Sequence, residues 1–393
     1  MTSQRQLFLQ HLAQTSDFPL CLEIEKAKGI YLFDKSGKKY IDLISGISVS
    51  NLGHCNPFVI SAINNQLKKY SHLMVYGEYV QSPQVMLAKK LTSLLPKNLS
   101  SVFFVNSGAE ATEGALKLAK RYKGRTEIIA FKNAYHGSTH GALSVMGNEV
   151  LKIKYRPLLP DIRFIEFNNE KQFVQISEKT ACVIIEPVQG EAGVKIPEKN
   201  FLSNLRKRCN ETGALLIFDE AQTAFGRTGT MFAFEQFGVT PDILLLAKAF
   251  GGGMPLGAFV SSKKIMDSLK SNPALGHLTT FGGHPVCCAA ALAAIEVLEN
   301  EKLISGVKKK EKLFKIYLRH KRILEIRSIG LMMALQFESA VENQKIINNC
   351  LENGLVTDWF LFCGDSMRIA PPLNITEDEI RISCEKILMS LDE

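Results

Sequence analysis

The chain has 393 residues, of which 46% are hydrophobic and 22% charged, with a formal net charge of +8. That length allows two or three domains with a sizeable core, and the composition is that of an ordinary soluble globular protein. No apolar run is long enough to cross a membrane as a helix.

The amino terminus, MTSQRQLFLQHLAQTSDF, lacks the basic end, apolar centre and small-residue cleavage site of a signal peptide. Nine cysteines are scattered without a CxxC pair or metal-ligand spacing, and Cys287-Cys288 reads as small core filling. A reduced, cytoplasmic protein is expected, with no membrane partner. The basic excess collects at Lys308-Lys309-Lys310 and at Lys315, Arg319, Lys321 and Arg322, alternating with apolar residues at helical spacing. A solvated helix face explains it, and no nucleic-acid partner is expected.

In chain order, Gly29 to Asp42 reads as two alternating strands around a turn at Ser36-Gly37. From about residue 55 to 290, short apolar strands alternate with helical patterns. The predicted strands are Val102–Val105, Glu127–Phe131, Arg163–Phe167, Ala181–Glu186, Ala214–Asp219 and Asp242–Ala247. The alternation implies an α/β fold with a mostly parallel sheet, helices on both faces and right-handed crossovers. After about residue 290, helices flank Ile323–Leu335 and the stretch Met367-Arg368-Ile369, which reads as a smaller α+β domain. The expected division is 1–55, 56–290 and 291–393, the first segment packing with the third.

Three strand ends carry chemistry. After Val102–Val105, Ser107 with Glu110 fits a capping box, and Ala111, Ala115, Leu118 and Ala119 form one helical stripe. Glu113 and Lys117 are spaced as an outer i,i+4 pair. Gly108 at this strand-to-helix turn leaves backbone N–H groups free at the positive end of a helix, where a phosphate can dock. Ala214–Asp219 delivers an acid and Asp242–Ala247 delivers Lys248, followed by Gly251-Gly252-Gly253. A poorly solvated lysine loses its proton more easily and can attack an aldehyde.

In an open parallel sheet such groups meet beyond the carboxyl ends of the strands. A lysine that takes the aldehyde as a Schiff base, with a carboxylate that keeps a pyridine nitrogen protonated, is the pair that pyridoxal phosphate (PLP) requires. A nucleotide-binding reading of the glycine turn fails, because Gly251 to Gly257 is not spaced as GxGxxG and Pro255 would disturb the helix start.

Further segments extend the pattern: Ser45-Gly46-Ile47, Leu52-Gly53-His54, Tyr135-His136-Gly137, Glu186-Pro187-Val188-Gln189-Gly190-Glu191, Gly226-Arg227-Thr228-Gly229, Thr279-Thr280-Phe281-Gly282-Gly283 and Arg368-Ile369-Ala370-Pro371-Pro372. Together with the three strand ends they run nearly end to end and in order. The chain resembles the class III PLP-dependent aminotransferases, in the subgroup of acetylornithine, ornithine and 4-aminobutyrate aminotransferases.

The resemblance implies PLP fold type I and a homodimer with shared active sites. Lys248 would hold the cofactor and move the proton, and Asp219 would pair with the pyridine nitrogen. Gln222 would bond the ring hydroxyl oxygen, and Ser107, Gly108 and Ala109 the phosphate. Tyr135 and Val188 would cover the two ring faces, with His136 and Glu186 in the same cofactor set. Thr280 would reach the neighbouring subunit's phosphate. Glu191 and Arg368 would form a substrate gate, whose opening frees the arginine as a bidentate fork for the α-carboxylate of 2-oxoglutarate. The implied reaction moves a terminal amino group from an ornithine-like donor, N-acetylornithine first, to 2-oxoglutarate. Transfer from 4-aminobutyrate or another ω-amine, and aminomutase, decarboxylase or racemase chemistry, are the alternatives on the same core.

The chain departs from the family pattern where an arginine usually follows the His-Gly and grips the distal carboxylate: here Ser138 stands. Lys132, His140 and Arg156 are the candidate substitutes. Ala221, Ala224 and His284 replace a usual valine, glycine and asparagine.

Overall fold

The structure, a computed structural model, describes residues 3–392. Its centre is a seven-stranded sheet in the order Ser101–Val105, Gly257–Ser261, Ile243–Leu246, Leu215–Asp219, Thr180–Ile185, Glu127–Phe131 and Ile162–Ile165. The last five strands run parallel to one another, and Gly257–Ser261 runs antiparallel to both of its neighbours. Every residue of Thr180–Ile185, Leu215–Asp219 and Ile243–Leu246 is buried. Such unbroken apolar runs need cover on both faces, which crossover helices supply. The six predicted strands all form, with ends shifted by no more than two residues.

The seventh strand, Gly257–Ser261, has no counterpart in the sequence reading. It is short and follows Pro255-Leu256 directly, so no turn signal separates it from the glycine turn. Its placement matters. It wedges between the phosphate-turn strand and the Lys248 strand, and a Cβ on Gly257 would lie 2.3 Å from the Ser107 carbonyl oxygen. Only glycine permits that approach.

The Gly108–Lys123 helix forms as expected and ends at Gly124 in the left-handed region (φ 64°). Ser107 Oγ accepts from the Glu110 N–H at 3.2 Å, but the reciprocal bond is displaced by one residue. Glu110 accepts from the Asn106 backbone N–H at 2.9 Å and its side-chain amide at 2.8 Å. The predicted Glu113–Lys117 pair does not form. One Glu113 oxygen accepts from Thr139 Oγ1 (2.6 Å), Gly141 N–H (2.7 Å) and Ala142 N–H (3.2 Å), which caps the His140–Val145 helix. Bare N–H groups at a helix start attract a carboxylate more strongly than an exposed ammonium does.

The expected hairpin is Tyr31–Asp34 with Lys39–Asp42, its turn held by Asp34 Oδ1 accepting from the Ser36 and Lys38 N–H groups, each at 2.9 Å. An unforeseen strand, Ile24–Lys28, pairs on its outer side, and Leu355–Val356 pairs parallel on the inner side. The amino-terminal sheet therefore takes a strand from near the other end of the chain. A third, antiparallel sheet joins Glu325–Ile329, Met332–Gln336, Cys363–Ile369 and Asp358–Phe360.

The basic helix, Val307–Tyr317, buries Val307 and Phe314 and pairs Lys309 with Glu377 and Lys315 with Glu311. Only Lys310 turns inward, to the Leu373 carbonyl. None of the nine cysteines forms a disulfide, and Cys287 and Cys288 are buried in the Pro285–Asn300 helix. Among the described residues no helix is long and apolar enough to cross a membrane, and no cluster of His, Cys, Asp or Glu is arranged to hold a metal.

Candidate active site

The carboxyl ends of the central strands open into a cavity of about 650 Å³. Lys248, Asp219, Gln222, Glu186, Glu191 and His136 line it, together with Tyr135, Ser138 and the Ser107-Gly108-Ala109 turn. Residues as far apart in sequence as Ser107 and Lys248 thus face one space, because parallel strands align their ends.

Lys248 leaves the Ile243–Leu246 strand with φ of 52°, in the left-handed region. Its ammonium makes no hydrogen bond or ion pair among the described residues. Burial lowers its pKa and nearby Arg368 adds to the effect, against the pull of Glu191, Asp219 and Glu186. The amine is accordingly easier to deprotonate than an exposed lysine.

Asp219 ends its strand buried. Oδ1 accepts from the Ala221 N–H at 3.0 Å, and Oδ2 lies 2.8 Å from His136 Nδ1. A histidine that donates from Nδ1 fixes its own tautomer and orients the carboxylate. His136 Nε2 is buried without a partner. Glu186 sits close by and accepts from the Tyr135 and Gly190 N–H groups, both at 3.1 Å. Burial pushes its carboxyl up to about 7, with Asp219 adding to the rise and His136 opposing it. It therefore fixes the backbone of the residue that carries the Tyr135 ring and the start of the Glu191 loop.

Glu191 and Arg368 form a bidentate pair, both bonds 2.9 Å, with each side chain less than a tenth exposed. Arg368 Nε also donates to Asp358 Oδ1 at 2.8 Å. Burial alone would raise the Glu191 carboxyl, but Arg368 outweighs it and the net shift is downward. Arg368 itself stands behind Glu191 and does not line the cavity. Gln222 reaches Glu191 Oε1 at 3.5 Å, the limit of a hydrogen bond.

Other predicted residues lie elsewhere. Val188 is fully buried in a cluster with Val194, Met332, Ala334 and Phe360 and does not line the cavity. Thr280 is exposed, 3.5 Å from the Tyr76 hydroxyl and outside this chain's own cavity. None of the candidate substitutes for the missing arginine reaches the cavity: Lys132 pairs with Glu166 (2.5 Å), Arg156 pairs with Glu149 (2.6 Å), and His140 opens a helix. His284 caps the Pro285–Asn300 helix by accepting from the Val286 N–H. Sequence reasoning gave no role to Val49, Asn106, Thr223 or Met254, all of which line the cavity. Asn106 ties the phosphate turn to Thr279 Oγ1 at 2.9 Å. Its place in the quoted Asn-Ser-Gly motif was the available signal.

These residues fit PLP. Gly108 and Ala109 open a helix and have no carbonyl four residues back to bond, so their N–H groups are free for an anion. A Cβ on Gly108 would come within 3.3 Å of Ala247 Cβ, so a larger residue would crowd the floor of this turn. An unpaired lysine and a buried, histidine-backed carboxylate complete the donor set.

A sequence profile of the family described as Aminotransferase class-III matches residues 12–391. The chain belongs to this family. The acetylornithine aminotransferase of Methanopyrus kandleri is 38% identical to this class III aminotransferase over 97% of the chain and 95% of the relative. That of Methanosarcina mazei is 40% identical over 91% and 89%. Among solved structures, the ornithine aminotransferase of Toxoplasma gondii ME49 superposes with a TM-score of 0.91 at 30% identity, over 98% of this chain and 93% of that one. A PLP-bound amine transaminase from an uncultivated Pseudomonas species gives 0.89 at 29% identity, over 97% of each. This class III aminotransferase is a PLP-dependent transaminase of fold type I, acting on an amino donor and a keto acid.

Proposed function

We propose that this aminotransferase moves the terminal amino group of N-acetylornithine to 2-oxoglutarate. The donor is supported by several curated acetylornithine aminotransferases at 38–40% identity over more than nine-tenths of the chain. The observation that carries the acceptor is the buried Glu191–Arg368 pair beside Lys248. When Glu191 swings away, Arg368 presents two parallel N–H donors, the fork that fits an α-carboxylate.

The bound PLP supplies an electron sink that stabilises negative charge at the substrate carbon. Lys248 holds the cofactor and then carries the proton at its Nζ, a task its lowered pKa suits. Asp219, backed by His136, keeps the ring nitrogen protonated. Gln222 would bond the ring oxygen, the Ser107–Ala109 turn would hold the phosphate and Tyr135 would cover one face of the ring, whereas Val188, outside the cavity, would not reach the other.

The enzyme acts as a cytoplasmic homodimer in this reading, with Thr280 serving the neighbouring subunit's phosphate. Support comes from the exposure of Thr280 and of large apolar side chains: Phe18 and Val80 are each 93% exposed, and Phe281 54%. The chain divides into segments 1–55, 56–290 and 291–393, in keeping with its three sheets.

The test is the visible spectrum of the purified holoenzyme before and after N-acetylornithine is added without a keto acid. Loss of the yellow cofactor band, followed by stoichiometric glutamate when 2-oxoglutarate is supplied, is expected. A band that stays unchanged rules out this donor. Loss of the band without glutamate formation rules out transfer to 2-oxoglutarate.

A further inference from the structure

The charge lining of the cavity is one-sided. Among the described residues its acidic side chains are Asp219, Glu186 and Glu191, and its only lysine or arginine is Lys248. Lys248 is committed to the cofactor. Arg368 is held by both Glu191 oxygens, by Asp358 Oδ1 and by the Trp359 carbonyl at 3.2 Å, which engages its whole guanidinium edge while the pair stays closed. The bound phosphate adds further negative charge. The donor's carboxylate, on the end remote from the reacting amine, finds no free lysine or arginine among the described residues that line this cavity.

What the mouth offers instead is neutral. Ser138 is exposed there, and its Oγ lies 3.1 Å from the Tyr135 hydroxyl. One hydroxyl of the pair donates to the other, so one O–H remains to donate outward and lone pairs remain to accept. That pattern suits an amide, a hydroxyl or a protonated amine. A carboxylate would prefer a guanidinium fork. The two charged candidates for replacing the missing arginine are engaged elsewhere, Lys132 with Glu166 and Arg156 with Glu149.

We propose that Ser138, with Tyr135, sets a donor specificity that does not depend on a carboxylate, so that the enzyme accepts terminal amines whose far end is a neutral hydrogen-bonding group. This rests on the donor reading above and widens it. The matched probe is N-acetyl-1,4-diaminobutane, which is N-acetylornithine without its carboxylate. In the reaction its terminal C–NH2 becomes an aldehyde and the amino group passes to 2-oxoglutarate, so that 4-acetamidobutanal and glutamate form in equal amounts.

The experiment measures kcat/KM of the holoenzyme for the two donors by glutamate formation. Values within tenfold of each other are expected. Ser138→Arg, which adds a cation at an exposed position, should raise kcat/KM for N-acetylornithine at least tenfold and leave the carboxylate-free donor unimproved. Visible absorbance of the bound cofactor verifies that the variant is intact. A preference of the wild-type enzyme for N-acetylornithine beyond tenfold overturns the proposal and leaves the donor reading standing. An intact Ser138→Arg variant with an unchanged donor ratio also overturns it. Turnover of neither donor removes the donor reading and this proposal together.

Discussion

Two buried arginines solve the same problem in opposite ways. Arg227 is fully buried and surrounded by neutral acceptors: the Leu331 and Pro371 carbonyls at 2.8 and 2.6 Å, Ser45 Oγ at 3.2 Å and Asn51 Oδ1 at 2.5 Å. Arg368 is nearly as buried but is neutralised by Glu191 and Asp358. Burial lowers the pKa of Arg227, with only Asp42 acting against it. For Arg368 burial acts the same way, but the two carboxylates outweigh it and the net shift is upward. Two of the four groups that bind Arg227 are backbone carbonyls that cannot leave, and it staples the amino-terminal segment to the loops at Leu331 and Pro371. Arg368 is bound by a side chain that can rotate away. The first arrangement suits a fixed joint and the second a gate, and that distinction can be tested.

The largest effect belongs to the functional side of the contrast. Lys248→Ala should abolish turnover in steady-state assays while the urea midpoint stays close to wild type, because its ammonium makes no structural bond. A variant with full activity would sink the site assignment.

Arg227→Met should do the reverse. Four acceptors lose their donor in a dry core, so stability should fall by about 3 kcal/mol or more in urea denaturation. A loss below about 1 kcal/mol would mean that water replaces the guanidinium and that the joint is not fixed.

Arg368→Gln should raise the KM for 2-oxoglutarate by about tenfold or more, the loss expected of one charge-assisted bidentate contact. The donor half-reaction, followed by single-turnover absorbance, should change less. Equal effects on both half-reactions would turn the gate into a joint like Arg227.

The smallest expected effect is a pH slope. Glu191, paired with an arginine, has its carboxyl lowered, whereas Glu220, held by the Ala233 and Phe234 N–H groups and Thr223, is pushed by burial up to about 7. A folded-state pKa above the ordinary 4.5 means the folded protein binds the proton more tightly. Its favourable contribution is therefore full below about 4.5 and is lost as pH rises towards about 7. Glu220→Gln should flatten that part of the stability–pH curve. An unchanged slope would assign it to other groups, Glu186 first.

Much of this architecture was legible in the linear pattern. Strands such as Leu215–Asp219 and Ile243–Leu246 are continuous apolar runs closed by a charged residue, and burial on both faces dictates such runs. The glycine after Ser107 and the spacing to Glu110 announced a capped helix start. The misses were tertiary. Glu113 stands four residues before Lys117, yet it turns to cap a helix that begins 27 residues further on. Gly257–Ser261 is a strand because a gap exists between two others, and nothing local marks it.

The sequence by itself determined the family and the parallel sheet and singled out Lys248 and Asp219 at neighbouring strand ends, because these follow from local periodicity and from the residue types that close the apolar runs. Only the tertiary structure decided which charges meet. It placed His136 behind Asp219, closed Glu191 on Arg368 across 177 residues, and turned Lys132 and Arg156 away from the cavity. Charge pairing acts over a few ångströms in space, and spacing along the chain carries no information about it once the separation exceeds a helical turn.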